Sequence, residues 1–153
     1  MSYLFLPEDY EQMNRRITEI IARMRHFGQE MGLACQEGAE TFHDNFAYED
    51  GERQHRMWGE RLRALVRVRN EAQVVRPPET GSVVGLGRRV TVRDLGTGEI
   101  RRFRIGSYMV FGDGDEVSYQ APWAAVLLGA TVGEVREWEE RGVIRELEVL
   151  EVA

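Results

Sequence analysis

The chain has 153 residues, 42% of them hydrophobic and 30% charged, a length that corresponds to one domain or two small ones. It lacks both a run of about 18 apolar residues and a basic N-terminal segment, so we expect neither a membrane-spanning helix nor a signal peptide. The formal net charge of −6 argues against a dedicated nucleic-acid-binding protein, and the single cysteine, Cys35, fits a cytoplasmic protein in a reducing compartment.

The first half of the chain predicts two long helices joined by a turn. Apolar residues recur at alternating spacings of three and four, the pattern of a coiled-coil seam; they are Tyr10, Met13, Ile17, Ile20, Met24, Phe27 and Met31. A weaker series with this kind of spacing runs through residues 48–72 and includes the polar His55 and Arg69. Residues 36–45 between the two series show little periodicity. We therefore expect residues 1–76 to form an antiparallel α-helical coiled-coil hairpin.

The second half predicts a small sheet domain at residues 77–153. The pair Pro77 and Pro78 marks its start, because adjacent prolines resist helix continuation. The predicted elements are strands at 89–93, 100–105 and 116–119, a short apolar helix at 121–129, and a closing strand at 145–152. A turn at 94–99 makes the first two strands a hairpin. The predicted fold class is α+β, with an antiparallel β-sheet and a short helix in this domain.

Negative charge is concentrated at the predicted helix–helix turn. Residues 36–52 contain no arginine and six acidic residues, which are Glu37, Glu40, Asp44, Glu49, Asp50 and Glu52. Carboxylates are hard oxygen ligands that suit Mg²⁺, and they could complete a metal site held mainly by another protein. A solvated acidic turn is the simpler alternative.

Two sets of short motifs, taken in order and with their spacing, carry a family resemblance. In the first half they are residues 7–13 (PEDYEQM), 45–48 (NFAY), 52–54 (ERQ), 61–65 (RLRAL) and 72–75 (AQVV). In the second half they are residues 84–87 (VGLG), 90–92 (VTV), 94–95 (DL), 97–99 (TGE), 121–123 (APW), 127–129 (LLG) and 132–134 (VGE). Together they resemble the GreA/GreB family of bacterial transcription elongation factors over nearly the whole chain.

The resemblance also implies a mechanism of action. An FKBP-like second domain docks on the rim of the secondary channel of bacterial RNA polymerase, with Gln120, Pro122 and Trp123 as the implied docking residues. The coiled coil enters the channel, and its tip reaches the catalytic Mg²⁺ and, indirectly, the 3′ end of the nascent RNA. In the cleavage factors, a tip Asp and Glu support a second Mg²⁺ and a water that hydrolyses backtracked RNA. The resemblance thus implies a monomeric, cytoplasmic accessory factor rather than an enzyme, with no cofactor of its own and Mg²⁺ shared with the polymerase active site.

The tip departs from the family pattern, which reads approximately Gly-Asp-Leu-x-Glu-Asn. Aligned on the second helix, Thr41 stands at the aspartate position and Asp44 at the glutamate position. Aligned on the first helix, Glu40 and His43 stand there instead. Neither alignment restores both acids, and a neutral hydroxyl replaces neither the charge nor the two oxygens of a carboxylate on Mg²⁺.

We therefore expect weak or absent RNA cleavage and a factor that inhibits or pauses the polymerase. The residues expected to act at the polymerase active site are Glu37, Glu40, Thr41, His43 and Asp44, with Asp44 and Glu40 as the candidate metal ligands. Three alternatives stay open: a factor that stimulates transcript cleavage and rescues backtracked complexes, a prolyl isomerase suggested only by the FKBP-like fold, and a hairpin that serves oligomerisation.

Overall fold

The computed structural model describes the backbone of residues 2–37, 46–112 and 114–153 and, outside residues 30–48, their side chains. It is a mixed α+β fold in two compact units. Glu11–Glu71 is one, here called the helical unit, and Met1–Tyr10 together with Ala72–Ala153 is the other, here called the sheet unit. Within the described ranges, every helix is too short or too polar to traverse a lipid bilayer.

The two segments of the sheet unit are joined by a pair of three-residue strands. Strand β1, Tyr3–Phe5, pairs in parallel with β2, Ala72–Val74. The Val75 N–H extends this pairing by donating to the Phe5 carbonyl at 2.8 Å. The predicted boundary between residues 76 and 77 differs from this division, because strands of three residues are too short to show alternation in the sequence.

Helix α1 spans Pro7–Glu37 and helix α2 spans Phe46–Asn70. Pro7 suits a first helical position, where no intrahelical N–H bond is lost. Acidic residues in the first turn of α1 and arginines in the last turn of α2 complement the helix dipoles. The second helix ends before residue 72, the last position of the weaker series: α2 stops at Asn70, and the Glu71 N–H donates to the Val68 carbonyl. The segment that follows, Ala72–Val74, is an extended strand.

The apolar positions predicted on the first helix are buried or half-buried wherever their side chains are described. Met13, Ile17 and Ile20 are buried, and Met24 and Phe27 are half-buried. An apolar stripe of this kind stabilises a helix by packing rather than by its intrinsic propensity.

A contact between α1 and α2 surrounds Trp58. The guanidinium groups of Arg23, on α1, and Arg61, on α2, lie 5.0 and 4.8 Å from the centre of its ring. Such cation–π contacts contribute about 0.5–1 kcal/mol each at exposed sites. Next to Trp58, a Cβ at Gly59 would lie 3.5 Å from the Met24 Cε, so the two helices meet at ordinary van der Waals distance here.

The sheet unit contains a five-stranded sheet in the order β5–β4–β3–β7–β6. Its elements are β3 (Arg89–Asp94), β4 (Ile100–Gly106), β5 (Glu116–Ser118), α3 (Pro122–Ala125), β6 (Val135–Glu140) and β7 (Val143–Val152). The predicted hairpin of β3 and β4 and the predicted closing strand β7 are confirmed.

Three expectations for the sheet unit are corrected. The sheet is mixed rather than antiparallel, because β5 pairs in parallel with β4, and alternation reports the buried face of a strand but not its direction. Strand β6 was not predicted. The apolar helix expected over residues 121–129 is only four residues long, and the chain then turns towards Gly129, whose φ is +82°.

One face of the sheet carries the core of this unit. Val90 and Val92 of β3 point to the same side, and they pair with Phe103 of β4 and Val149 of β7 respectively. The buried cluster comprises Val84, Val90, Val92, Phe103, Ile105, Ala124, Leu127, Ala130, Leu147 and Val149. The strict alternation of β3 follows from this one-sided burial.

A buried carboxylate fixes the start of α1 within the sheet unit. The Ser107 hydroxyl donates to the Asp9 carboxylate and accepts the Leu6 N–H at 2.8 Å. Asp9 is 5% exposed and Ser107 is fully buried. Burial raises the pKa of Asp9 above its ordinary value, and the hydrogen bond from Ser107 offsets this only in part.

The pKa of the neighbouring Glu8 is shifted in the opposite direction. A hydrogen bond from its own backbone lowers the pKa of Glu8; burial opposes this shift, and Arg104, whose Nη2 lies 3.0 Å from the carboxylate, reinforces it. Ionisation of these two adjacent acids therefore has opposite effects on folding: it favours the folded state at Glu8 and disfavours it at Asp9.

We expect the effect of Asp9→Asn on the free energy of unfolding to change with pH in the opposite direction from that of removing a carboxylate with a lowered pKa. Because the folded pKa of Asp9 is raised, its contribution to stability is fully present below the unfolded pKa and is lost as pH rises through the folded one. The free energy of unfolding of the wild type minus that of Asp9→Asn, measured by urea unfolding, should fall as pH rises above the ordinary Asp pKa of about 3.9.

Glu8→Gln is the matched control for this prediction. The lowered pKa of Glu8 means that its contribution is present above the unfolded pKa and is lost as pH falls, so the same difference should rise with pH. A difference for Asp9→Asn that rises with pH would contradict the raised pKa.

Candidate functional site

The predicted tip falls mostly outside the described residues. Glu37 is the last residue of α1, and its side chain is not described. Glu40, Thr41, His43 and Asp44 all lie in the stretch between the two helices that the structure does not describe, and these include both candidate metal ligands. Elsewhere in the described part of the chain, no group of three or more His, Cys, Asp or Glu side chains is placed to hold a metal ion.

The described acidic residues at the start of α2 are solvent-facing. Glu49 and Glu52 are exposed. Asp50 forms an ion pair with Arg53 at 2.8 Å, and the side chains of this pair are 44% and 65% exposed. Exposed pairs of this kind add little to stability, so the first turns of α2 keep most of their negative charge available to a partner.

The predicted docking residues lie together in one turn of the sheet unit. The Gln120 N–H donates to the Ser118 hydroxyl at 3.3 Å, and Pro122 then starts α3, where its missing N–H has no cost. Gln120 and Pro122 are exposed, whereas Trp123 is half-buried. The turn therefore presents a polar amide, a rigid ring and an indole side by side.

Trp123 is held by an aromatic and a cationic neighbour. Its ring meets Phe103 edge-on, with centroids 4.6 Å apart and planes at 68°, a favoured aromatic geometry. The guanidinium of Arg101 lies 5.9 Å from the Trp123 ring centre. The indole is thus fixed before any partner arrives, which lowers the entropic cost of using it as a contact residue.

Trp123 forms one wall of a cavity of about 420 Å³, and Trp138 lines it as well. The remaining lining residues are Val92, Asp94, Glu99, Arg101, Glu140, Arg145 and Leu147. Trp138 and Arg145 form a cross-strand pair between β6 and β7, so the missed strand β6 is what brings the second tryptophan to this site. Charged residues lie on both faces of β6, so the sequence carries no apolar–polar alternation that could have revealed this strand.

Fixed ion pairs give the cavity its electrostatic character. Arg145 lies between two acids, with Nη1 3.3 Å from Asp94 Oδ2 and Nε 3.3 Å from Glu140 Oε2. Burial raises the pKa of Asp94, but the N–H groups of Gly96 and Thr97, at 2.8 and 3.2 Å, together with Arg145, outweigh it and lower that pKa. The cavity thus combines two indole rings with arginines and carboxylates, most of them held in ion pairs.

Comparisons with known proteins agree with the predicted family. The family model "Transcription elongation factor, GreA/GreB, C-term" matches residues 78–153. Transcription elongation factor GreA of Thermotoga neapolitana is 28% identical over 148 residues, covering 95% of this chain and 93% of that protein. The GreA of Thermotoga maritima is 24% identical with the same coverage. Among solved structures, GreA factor homolog 1 (Gfh1) of Thermus thermophilus has a TM-score of 0.43 at 21% identity, covering 100% of this chain and 99% of that one.

These matches bear on both parts of the chain. The family model falls on the sheet unit, and the GreA relatives align over both units. Factors of this family act on RNA polymerase as accessory proteins and are not enzymes themselves. Together the comparisons support a GreA/GreB-family transcription elongation factor.

Proposed function

We propose that this factor enters the secondary channel of RNA polymerase and inhibits or pauses elongation instead of stimulating transcript cleavage. The observation that carries this proposal is the tip sequence. In neither alignment does it provide the Asp and Glu pair expected of a cleavage factor: one gives Thr41 and Asp44, and the other gives Glu40 and His43.

A hairpin able to reach into a channel is the first requirement of the proposal, and we take α1 and α2 to be the two arms of an antiparallel coiled coil. Three observations support this. The buried stripe on α1 follows the seam spacing, the helices meet around Trp58, and only eight residues separate them. At about 1.5 Å per residue, the 31-residue α1 is on the order of 45 Å long.

A docking surface is the second requirement. We assign it to the turn of Gln120, Pro122 and Trp123 on an FKBP-like sheet unit. The exposure of Gln120 and Pro122 and the prearranged Trp123 ring support this assignment. Aromatic residues held rigidly in this way are frequent contributors to binding energy at protein interfaces.

The expected action follows from the charge of the tip. Glu37, Glu40 and Asp44 would bring negative charge towards the Mg²⁺ that the polymerase holds, and Glu40 and Asp44 are the residues that would contact it. A bound second Mg²⁺ would supply the activated water for RNA hydrolysis. With a neutral Thr41 or a His43 in place of one acid, this chain supplies charge and bulk near the active site but lacks the paired carboxylates for that hydrolysis.

A transcript-cleavage assay on stalled, backtracked complexes tests the proposal. We expect no shortening of the RNA 3′ end when the wild-type protein is added, in Mg²⁺ or in Mn²⁺, and slower elongation by active complexes. Asp44→Ala should weaken the slowing, whereas Glu60→Ala, which removes an exposed acid from the middle of α2, should leave it unchanged.

Two results would contradict the proposal in different ways. Rapid shortening of the RNA 3′ end would support the alternative, a factor that stimulates cleavage and rescues backtracked complexes. If the wild type and Asp44→Ala slow elongation equally, Asp44 at the tip takes no part in the mechanism.

A further inference from the structure

Arg88 is a buried cation for which the described part of the chain supplies no counter-ion. It is 7% exposed, and its Nη2 has no hydrogen-bond partner among the residues that the structure describes. Its Nη1 makes one long bond, 3.4 Å to the Glu79 carbonyl. Among the described residues, no carboxylate forms an ion pair with it. Burying an ionised group in this state is costly, and folded proteins ordinarily pair such a group.

The position of Arg88 is fixed by its backbone. Its N–H donates to the Gly85 carbonyl at 3.1 Å, and its carbonyl accepts the Ile105 N–H at 2.9 Å, which ties it to β4. Gly87 before it has a φ of +83°, and a Cβ there would lie 2.7 Å from Pro77 Cγ. This turn therefore requires glycine and holds the arginine against the segment of Pro77.

Arg88 lines a surface cavity of about 370 Å³ whose described lining contains no acid. A second arginine, the exposed Arg76, lines it too. The apolar lining residues are Val75, Pro77, Pro78, Val83, Val84 and Leu86. The cavity has the volume of a small-molecule site and combines apolar walls with two cations.

We infer that this cavity binds a small monocarboxylate that carries an apolar chain. The positive charge of Arg88 attracts a carboxylate, and the valine, proline and leucine side chains cover the hydrocarbon part. Arg76 adds positive charge to the same lining. The cavity lining shares no residue with the predicted tip or the docking turn, so the inference does not depend on the proposed function.

Hexanoate is the probe, with hexanamide as its uncharged counterpart. Isothermal titration of the full chain should give a dissociation constant on the order of 1 mM for hexanoate and at least about tenfold weaker binding for hexanamide. Inorganic phosphate should also bind more weakly than hexanoate, since it gains nothing from the apolar walls.

Two variants locate the binding. Arg88→Gln should weaken hexanoate binding at least about tenfold. Arg93→Gln makes the same change of charge at an exposed position on β3, and its affinity should match that of the wild type. Equal binding of hexanoate and hexanamide, unchanged affinity in Arg88→Gln, or tighter binding of phosphate would each overturn the inference.

Gly81→Ala keeps the test decisive if Arg88→Gln fails to fold. A Cβ at Gly81 would lie 2.9 Å from Arg88 Nη2, so it would displace the end of this flexible side chain and leave its charge intact. We expect weaker hexanoate binding in Gly81→Ala, and wild-type binding in Gly28→Ala, where a Cβ has nothing within 4 Å. Wild-type affinity in Gly81→Ala would count against Arg88 as the anchor.

Discussion

Replacing Thr41 with Asp and Asp44 with Glu together is expected to turn this factor into one that stimulates RNA cleavage, with a cleavage rate at least about tenfold above that of the wild type. The double substitution supplies the two acids at the positions that the alignment on the second helix identifies. Two correctly spaced carboxylates can hold a second Mg²⁺, whereas one carboxylate and one hydroxyl cannot replace that pair. The measurement is the rate of 3′-end shortening in backtracked complexes.

The other alignment supplies the matched control. Glu40→Asp combined with His43→Glu restores the acid pair one residue earlier. Because a misplacement of about 1 Å can cost about a hundredfold in rate, only one of the two double variants should cleave RNA efficiently. Cleavage by the Glu40 and His43 variant alone would support the first-helix alignment. No gain in either variant would show that the missing acid pair is not what prevents cleavage.

Trp123→Ala is expected to lower the affinity for RNA polymerase at least about tenfold. The loss should be large because the ring is already held by Phe103 and Arg101, so its contact area is offered to a partner at little entropic cost. Binding is measured by competition of labelled wild-type protein from the polymerase by each variant.

Trp138→Ala is the control for this prediction. It removes the same side chain from another position in the same cavity, outside the predicted docking turn. Its affinity for the polymerase should stay within about threefold of that of the wild type. Melting temperatures of both variants separate lost docking from lost packing, and equal losses of affinity would move the docking surface from the turn to the cavity as a whole.

The sequence predicts those parts of the fold that bury one face of a regular element. Val90 and Val92 alternate with exposed neighbours, so β3 and its hairpin with β4 were expected correctly. Strands β1 and β2 were missed because three residues carry no period, and β6 because charged residues occupy both faces of the strand. The parallel pairing of β5 is a long-range choice that no local pattern encodes.

The candidate sites likewise contain some residues that the sequence could predict and others that it could not. The docking residues were expected from the family resemblance alone; the local sequence signals only that a helix starts at Pro122. Trp138 and Arg145 come together only through the pairing of β6 with β7. Arg88 had no signal at all, since an arginine in a loop is ordinarily exposed and the burial of this one results from tertiary packing.

The pairing of β1 with β2 has a consequence for the order in which the protein forms during translation. Tyr3–Phe5 is made before the helical unit, yet its partner, Ala72–Val74, is made only after that whole unit. The helical unit is one continuous stretch and is complete once Glu71 has left the ribosome. Since local contacts form faster than distant ones, we expect the helices to form first, while the opening strand waits unpaired for the rest of its sheet unit.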